Sequence, residues 1–439
     1  MITRIEIDGF KSFVQFGLDV RPCTVLMGTN GAGKSNLLDA LDLVRRVLDG
    51  GLQRALGGDN PRLAVRGLFH RGETPEGPRT AREFTIKVGM IVPSDYGPLP
   101  VVARVVVRGG EGTHVRLNQE RSALWVSSLG HREWMERLGL PADLRRALAS
   151  ARDQAVGEGQ GWYPLGGEPD SFGSTGEADD STGTVASVGR SGRLRALLMR
   201  ETRTWERFAL EASAMRAPYG GTPYLPLRPD GANLATVLHR LGENGLRDME
   251  ADLAALIPEA SGVRTLYDER RGEYDFDVRF RHTGWTAPPM LSDGTLRVLA
   301  LLAAWYDDSR KGLLAVDEVE NGLHPTRIAE LVRRLRRDVD DFPVMAANGV
   351  QTVRSDLGGF RQLLVSTHSP VLLSALRDEA PGTLVFLEQG TLVDPETRIV
   401  STVTRARPVR ERSAEEEPGD TVPPGQVQNL LESLGQVVA

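Results

Sequence analysis

Eight residues, Gly28-Thr29-Asn30-Gly31-Ala32-Gly33-Lys34-Ser35, narrow the folds open to this chain more than any other feature in it. They fit the spacing G-x-x-x-x-G-K-[ST], whose chemistry works only where a strand ends and a helix begins. The glycines let backbone N–H groups turn inward around phosphate oxygens, and the helix N-terminus adds its partial positive charge. The flanks meet that demand. Thr24-Val25-Leu26-Met27 is a short apolar run before the loop, and Leu37, Leu38, Leu41, Val44, Val47 and Leu48 recur at helical spacing after it. Asn30, Gly31, Ala32 and Gly33 form the cradle, Lys34 is placed to reach the β and γ phosphates, and Ser35 to hold Mg²⁺ through its hydroxyl.

The rest of the chain is organised to suit such a loop. Ile2, Ile5 and Ile7 mark a first strand, and residues 83–108 alternate or run as strands that predict an antiparallel flank beside a parallel sheet. Residues 131–155 turn helical, 157–192 have the Gly, Ser, Asp and Thr composition of a flexible loop, and a second helical block is expected over 193–216. A proline-rich turn region, helices over 231–257 and strands near 263–281 follow. From 291 onward helix and strand alternate again, with Leu313-Leu314-Ala315-Val316 and Leu363-Leu364-Val365-Ser366 as buried parallel strands. The fold class expected is α/β, with a mixed sheet built from both chain ends. Its expected parts are an N-terminal half over 1–130, a helical insertion lobe over 131–260, a C-terminal half over 261–410 and a flexible tail over 411–439.

Composition removes several classes of function. Hydrophobic residues make up 40% of the 439, enough for a packed core, which excludes global disorder. The longest apolar stretch, around Leu296–Trp305, is too short and interrupted to span a bilayer, and the first residues lack the layout of an export signal, so a cytoplasmic protein without a membrane partner is expected. The one cysteine, Cys23, excludes an internal disulfide and accords with a reducing compartment. Acidic residues outnumber basic ones 59 to 53, so any DNA contact must be local.

Three further clusters carry chemistry. The apolar run ending at Val316 delivers Asp317 and Glu318, the first placed to hold magnesium through water and the second to orient and activate an attacking water. Ser366-Thr367-His368-Ser369-Pro370 ends another buried strand, so His368 falls at the sheet edge where the phosphate loop and Glu318 belong, as a sensor of the γ-phosphate. Leu291-Ser292-Asp293-Gly294-Thr295 opens a helical run, which puts Ser292 and Gly294 at a second helix N-terminus able to bind anions.

These elements in this order resemble the ATP-binding-cassette ATPases of the RecF and structural-maintenance-of-chromosomes class. The likeness begins at Gly9-Phe10-Lys11-Ser12-Phe13 and continues through Gly31-Ala32-Gly33-Lys34-Ser35-Asn36 and Leu38-Asp39-Ala40. It extends over the serine-glycine element to Arg297, over Asp317-Glu318-Val319-Glu320-Asn321-Gly322-Leu323-His324-Pro325, and over Thr367 to Pro370. The later stretches are similar to the AAA-family ATPases called AAA-21, a group that includes ATPase subunits of bacterial anti-phage systems and relatives of the overcoming-lysogenisation-defect (OLD) nucleases.

The resemblance implies an ATPase head with ATP and Mg²⁺ as cofactors, in which Lys11, Ser12 and Asn36 join the nucleotide site. It also implies that Ser292 and Gly294 act in trans, closing over the nucleotide held by the other protomer's phosphate loop, with Asn321–Pro325 at the seam. A homodimer or higher even oligomer with ATP at its interface follows.

The departures are specific. Asp293 stands where transporter subunits usually carry glycine. Phe69-His70-Arg71-Gly72-Glu73 matches the lid in outline without its glutamine. No coiled-coil arm or nuclease-like acidic cluster is present in the sequence. The arginine-dense run Arg190, Arg193, Arg195, Arg200, Arg203 and Arg207 is either a DNA phosphate contact or a solvated helix face offset by Glu201, Glu206 and Glu211. The function expected is therefore an ATP-dependent switch on a DNA-linked process, in anti-phage defence or repair. The alternative is a regulator or scaffold that binds no DNA and holds a toxin or nuclease effector protein.

Overall fold

The structure, a computed structural model, describes residues 1–57, 61–109, 123–127, 134, 138–156, 163–164, 194–307, 311–342, 360–369, 372, 376, 382–395, 397–412 and 419–427. The two apolar runs read as parallel strands lie side by side as Leu313–Val316 and Gln362–Thr367. The strand before the phosphate loop, Cys23–Met27, pairs in parallel with the second of them, and Leu384–Val393 continues the parallel order on its other side. Val400–Pro408 then turns back antiparallel, and the hairpin Arg71–Thr74 and Gly77–Thr80 closes that end. Among the described residues this sheet has eight strands.

Continuous apolar character is what burial on both faces requires. Leu313, Ala315 and Leu364 point into one core with the apolar side of the phosphate-loop helix Lys34–Leu56 and the antiparallel sheet. Leu314, Val316, Leu363 and Val365 point into another core, with the helices Leu234–Leu256, Asp293–Tyr306 and Pro325–Arg337. The phosphate-loop helix is thus clamped between two sheets. The second of these is antiparallel, built on Ile2–Asp8 and the hairpin Glu83–Ser94 and Gly97–Arg108, as the alternating pattern predicts. A three-stranded sheet, Ala260–Asp268, Glu273–Phe280 and Gly284–Thr286, precedes the serine-glycine element.

Three expectations change. The helical block expected over 193–216 stops early: helix spans 194–202, and Glu206–Phe208 is a strand pairing in parallel with Leu313–Val316 at the edge of the central sheet. The free edge of the acidic strand offers backbone partners, and Trp205 and Phe208 bury themselves there, so tertiary pairing overrides local propensity. Residues 131–260, read as an insertion lobe, are shared out. Ala142–Val156 packs on strand Gly97–Arg108, whereas Leu234–Leu256 packs on Asp293–Tyr306 inside the main core.

The tail also does more than expected. Val422 is fully buried and bridges Val409, and Arg410 N–H donates to the Val422 carbonyl at 3.1 Å. The flexible-loop reading for 157–192 lies outside the described residues except at Tyr163–Pro164, which pairs with Ala123–Ser127. No helix among the described residues is long and apolar enough to cross a membrane.

Cys23 sits in the middle of the parallel sheet, and burial pushes its thiol up to about 12. Only the thiolate attacks disulfide reagents. Labelling of the native chain by an aromatic disulfide at pH 8 is therefore expected to run at least about a hundredfold slower than labelling of the chain unfolded in guanidinium. Equal rates would mean that Cys23–Met27 is not an interior strand.

Candidate active site

Parallel strands end at one edge, so three of the clusters read from sequence meet without help from the rest of the fold. Leu313–Val316, Gln362–Thr367 and Cys23–Met27 are adjacent and in register, with Val316 opposite Val365 and Thr367 opposite Met27. Beyond their C-terminal ends lie Asp317-Glu318, His368 and the phosphate loop.

The loop is held from behind. Gly31 and Gly33 take φ of 84° and 101°, a region that glycine enters at little cost. A Cβ on Gly33 would also lie 2.3 Å from the Thr404 hydroxyl. That hydroxyl donates to the Ala32 carbonyl at 3.1 Å and meets the Ser12 hydroxyl at 2.7 Å, while Asn36 Nδ2 donates to Ser12 at 3.0 Å. Gln389 Nε2 donates to the Gly31 carbonyl at 2.8 Å.

Lys34 is buried, its ammonium donating to the carbonyls of Gly28 at 2.6 Å and Thr29 at 3.0 Å. Burial pulls its pKa below the ordinary lysine value, and the negative charges of Glu320, Glu318 and Asp317 partly restore it. The loop lysine and the acidic strand therefore share one electrostatic site.

Ser366 organises the acidic pair. Its hydroxyl donates to Asp317 Oδ1 at 2.5 Å and accepts the Glu318 N–H at 2.8 Å, and its carbonyl accepts the Val319 N–H at 3.0 Å. Glu318 stands at φ 50°, a left-handed conformation that costs a residue with a Cβ on the order of 1 kcal/mol or more and persists only where neighbours impose it. Asn321 Nδ2 fixes the carboxylate by donating to Glu318 Oε2 at 2.8 Å. Glu320 Oε1 accepts from both the backbone N–H and the ring Nδ1 of His368, each at 2.6 Å, which sets the ring's orientation and leaves Nε2 on the far side.

The residues implied by resemblance at the start of the chain are engaged differently. Lys11 donates to Asp39 at 2.6 Å, and Ser12 belongs to the Thr404–Asn36 network behind the loop. Asp39, one turn into the phosphate-loop helix and with a side chain 1% exposed, also accepts from Arg62 and Arg207. Burial alone would raise its pKa, but the hydrogen bonds from Arg62 and Lys11 and the charges of Lys11 and Arg207 carry it below the ordinary carboxylate value. The segment matched to the lid holds the start of the chain instead: Phe69 bridges Phe10 and His70 Nδ1 lies 2.6 Å from the Lys11 carbonyl.

Ser292 and Gly294 stand at the start of the helix Asp293–Tyr306, beside the loop that follows the acidic pair. Ser292 is exposed and caps its helix, accepting the Thr295 N–H at 3.2 Å. Among the described residues its hydroxyl makes no hydrogen bond to the phosphate loop of its own chain. Gly294 packs so closely on the loop after the acidic pair that a Cβ there would sit 2.5 Å from the Gly322 carbonyl oxygen. Arg216 secures the stretch before it, donating to the carbonyls of Pro288, Pro289 and Leu291 at 2.7–3.1 Å and pairing with Asp293 at 2.5 Å.

Arg207, Glu320, Thr404, Gln389 and Arg216 are absent from the sequence-derived site. Only Glu320 had a local signal, a third carboxylate three residues after Asp317. Ser35 and Asp317 offer a hydroxyl and a carboxylate, the hard oxygen donors that magnesium takes along with water and phosphate oxygens. The donor set therefore fits Mg²⁺.

Parts of the chain are similar to known ATPase domains. A family model described as an AAA domain of AbiEii-toxin type, Type IV TA system, matches residues 223–374, and one described as an AAA ATPase domain matches residues 1–49. The chain is 34% identical over 128 residues to the chromosome partition protein Smc of Rhodopirellula baltica, an alignment covering 27% of this chain and 10% of that protein. The chain thus spans about a tenth of the curated relative it matches. Among solved structures, an Smc head bound to the C-winged helix domain of ScpA aligns over 92% of this chain and 97% of that one, with a TM-score of 0.50 and 15% identity. At that identity the likeness speaks to the fold.

Proposed function

We propose that this chain, whose matches are to family models of ATPase domains, is an ATP hydrolase of the RecF and structural-maintenance-of-chromosomes class that works as a nucleotide-gated dimer, each protomer's serine-glycine cap closing on its partner's phosphate loop. Lys34 and the cradle Asn30–Gly33 bind the phosphates, and Glu318 orients the attacking water. His368, with its ring held by Glu320, reads the terminal phosphate through Nε2. Ser35 and Asp317 hold Mg²⁺, which when bound neutralises charge on the phosphate oxygens.

The observation that carries the dimer is the position of the cap. Ser292 is exposed, makes no hydrogen bond to its own phosphate loop among the described residues, and stands two residues before Gly294, which packs closely on Gly322 in the loop after Glu318. A helix N-terminus that is both open and packed beside the loop after the acidic pair is suited to an anion presented by another molecule.

The partner side of the switch is better matched by a protein effector than by DNA bound along the arginine run. Three of its four described members are already engaged: Arg200 with the Pro93 carbonyl, Arg203 with Asp49, and Arg207 with Asp39 and Asp317. The toxin–antitoxin description of the model matched over 223–374 supports the same reading. Anti-phage defence remains the biological setting we propose.

Mixing two inactive variants tests the trans arrangement. Lys34→Ala removes the cradle's cation and Ser292→Arg blocks the cap, and each alone is expected to be inactive. Random mixing is expected to restore roughly a quarter of wild-type ATPase activity, since half the dimers then carry one intact composite site. Mixtures no more active than their components would end the trans reading.

A further inference from the structure

Strand Glu206–Phe208 brings into the site a residue from the middle of the chain. It pairs in parallel with Leu313–Val316 so that Arg207 lies opposite Ala315, two positions before Asp317. From there the guanidinium spans two carboxylates: Nη1 donates to Asp39 on the phosphate-loop helix, and Nη2 to Asp317 Oδ2 at 2.5 Å.

The two partners do not need Arg207 equally. Asp39 already holds Lys11 and Arg62, so its charge is compensated without a third cation. Among the described residues Asp317 has the neutral Ser366 hydroxyl on its other oxygen, and Arg207 is the cation that pairs with it directly, while Lys34 and Arg62 act on it from further away. The guanidinium is mostly buried, and its Nε has no acceptor among the described residues. It is held by its two Nη contacts alone and is free to keep one while releasing the other.

We propose that Arg207 is a resident cation of the magnesium site, occupying Asp317 until the metal displaces it, and that this exchange couples metal loading to the edge strand Glu206–Phe208. The proposal rests on the reading of Asp317 as the magnesium residue. A guanidinium stays protonated across the working pH range, so only a competing cation can take its place on the carboxylate. Mg²⁺ and Arg207 attract the same oxygens and repel each other, and the repulsion is resolved by Arg207 withdrawing to Asp39, where Nη1 is already bound. The withdrawal removes the side-chain contact that, among the described residues, ties this three-residue strand to the metal carboxylate. Metal binding and strand anchoring then bias one another reciprocally. The arrangement gives the segment leading from helix 194–202 a direct report on whether the site is loaded.

The test uses the full chain with Arg207→Gln and Arg207→Lys. A fluorescent ATP analogue is titrated with Mg²⁺, Mn²⁺ binding is followed by electron paramagnetic resonance, and amide exchange is measured over residues 206–208. Arg207→Gln is expected to lower the Mg²⁺ and Mn²⁺ concentrations for half-saturation by about tenfold. Nucleotide affinity in EDTA is expected to stay within about threefold, since neither cradle nor Lys34 is touched. Arg207→Lys, which keeps the charge but cannot span both carboxylates, falls between. In the wild type, exchange at 206–208 is expected to quicken when Mg²⁺ and nucleotide are added together, and to be fast with or without them in Arg207→Gln. Unchanged or raised half-saturation in Arg207→Gln, with Arg207→Lys behaving like wild type, overturns the proposal and makes Arg207 a structural brace. A wild-type chain whose nucleotide binding ignores Mg²⁺ altogether overturns the assignment of Asp317, and with it this exchange, whatever the variants do.

Discussion

Glu318→Gln is expected to lower ATP turnover by about 10²–10⁴-fold while leaving nucleotide binding in place. The substitution is nearly isosteric and removes the carboxylate's capacity to accept a proton together with one of the three negative charges that act on Lys34. The surroundings that hold the residue remain: Ser366 still accepts its N–H at 2.8 Å, and Asn321 can donate to the amide oxygen as it now donates to Oε2. Its backbone, at φ 50°, is imposed by those neighbours and does not depend on charge. With hydrolysis blocked and the phosphate cradle intact, the nucleotide-bound dimer should accumulate, read as a doubled mass by light scattering in the presence of ATP. Turnover within a few-fold of wild type would take the general-base role away from Glu318.

Lys34→Ala is expected to weaken ATP binding by roughly two orders of magnitude or more, the cost of withdrawing one partner from a buried, charge-assisted contact. The size follows from burial. Lys34 is 6% exposed, so its side chain has given up most of its contact with water and little solvation offsets its attraction to phosphate.

The same burial gives the wild-type site a pH dependence with a defined sign. Because Lys34 has a lowered pKa in the fold, ATP affinity should fall as pH rises through that lowered value, before an ordinary lysine would titrate. Stability moves the other way. Between the lowered value and 10.5 the unfolded chain binds more protons at this position than the folded one, so Lys34 makes folding more favourable as pH rises. Lys34→Ala should remove the share of both slopes that Lys34 contributes, measured by calorimetric titration and by thermal unfolding across pH 8–10.5, while the contribution of Lys11, also lowered by burial, stays. Undiminished ATP binding by Lys34→Ala, with its fold intact by circular dichroism, would remove the phosphate loop from the mechanism.

Much of the architecture was legible because it is written in local patterns. A glycine loop between an apolar run and an amphipathic helix has one structural meaning, and two four-residue apolar runs followed by Asp317-Glu318 and by His368 read as interior parallel strands whose ends coincide. The alternation over 83–108 disclosed the antiparallel sheet for the same reason. What misled was the stretch 193–216, where helical residues run into Trp205-Glu206-Arg207-Phe208. Nothing within those four residues says that the edge of Leu313–Val316 is vacant beside them, and that edge makes them a strand.

The chain's own order of residues determined where the phosphate cradle, the acidic pair and the histidine would stand, since each is placed by the strand immediately before it. The tertiary structure alone decided what surrounds them. Thr404 braces a loop 392 positions away at Ser12, Gln389 reaches Gly31, Glu320 grips His368 across 48 positions, and Arg207 links Asp39 to Asp317. No periodicity can announce such partners, because a polar side chain has the same local preferences whether it faces water or a carboxylate delivered from elsewhere in the fold, and only packing chooses between them.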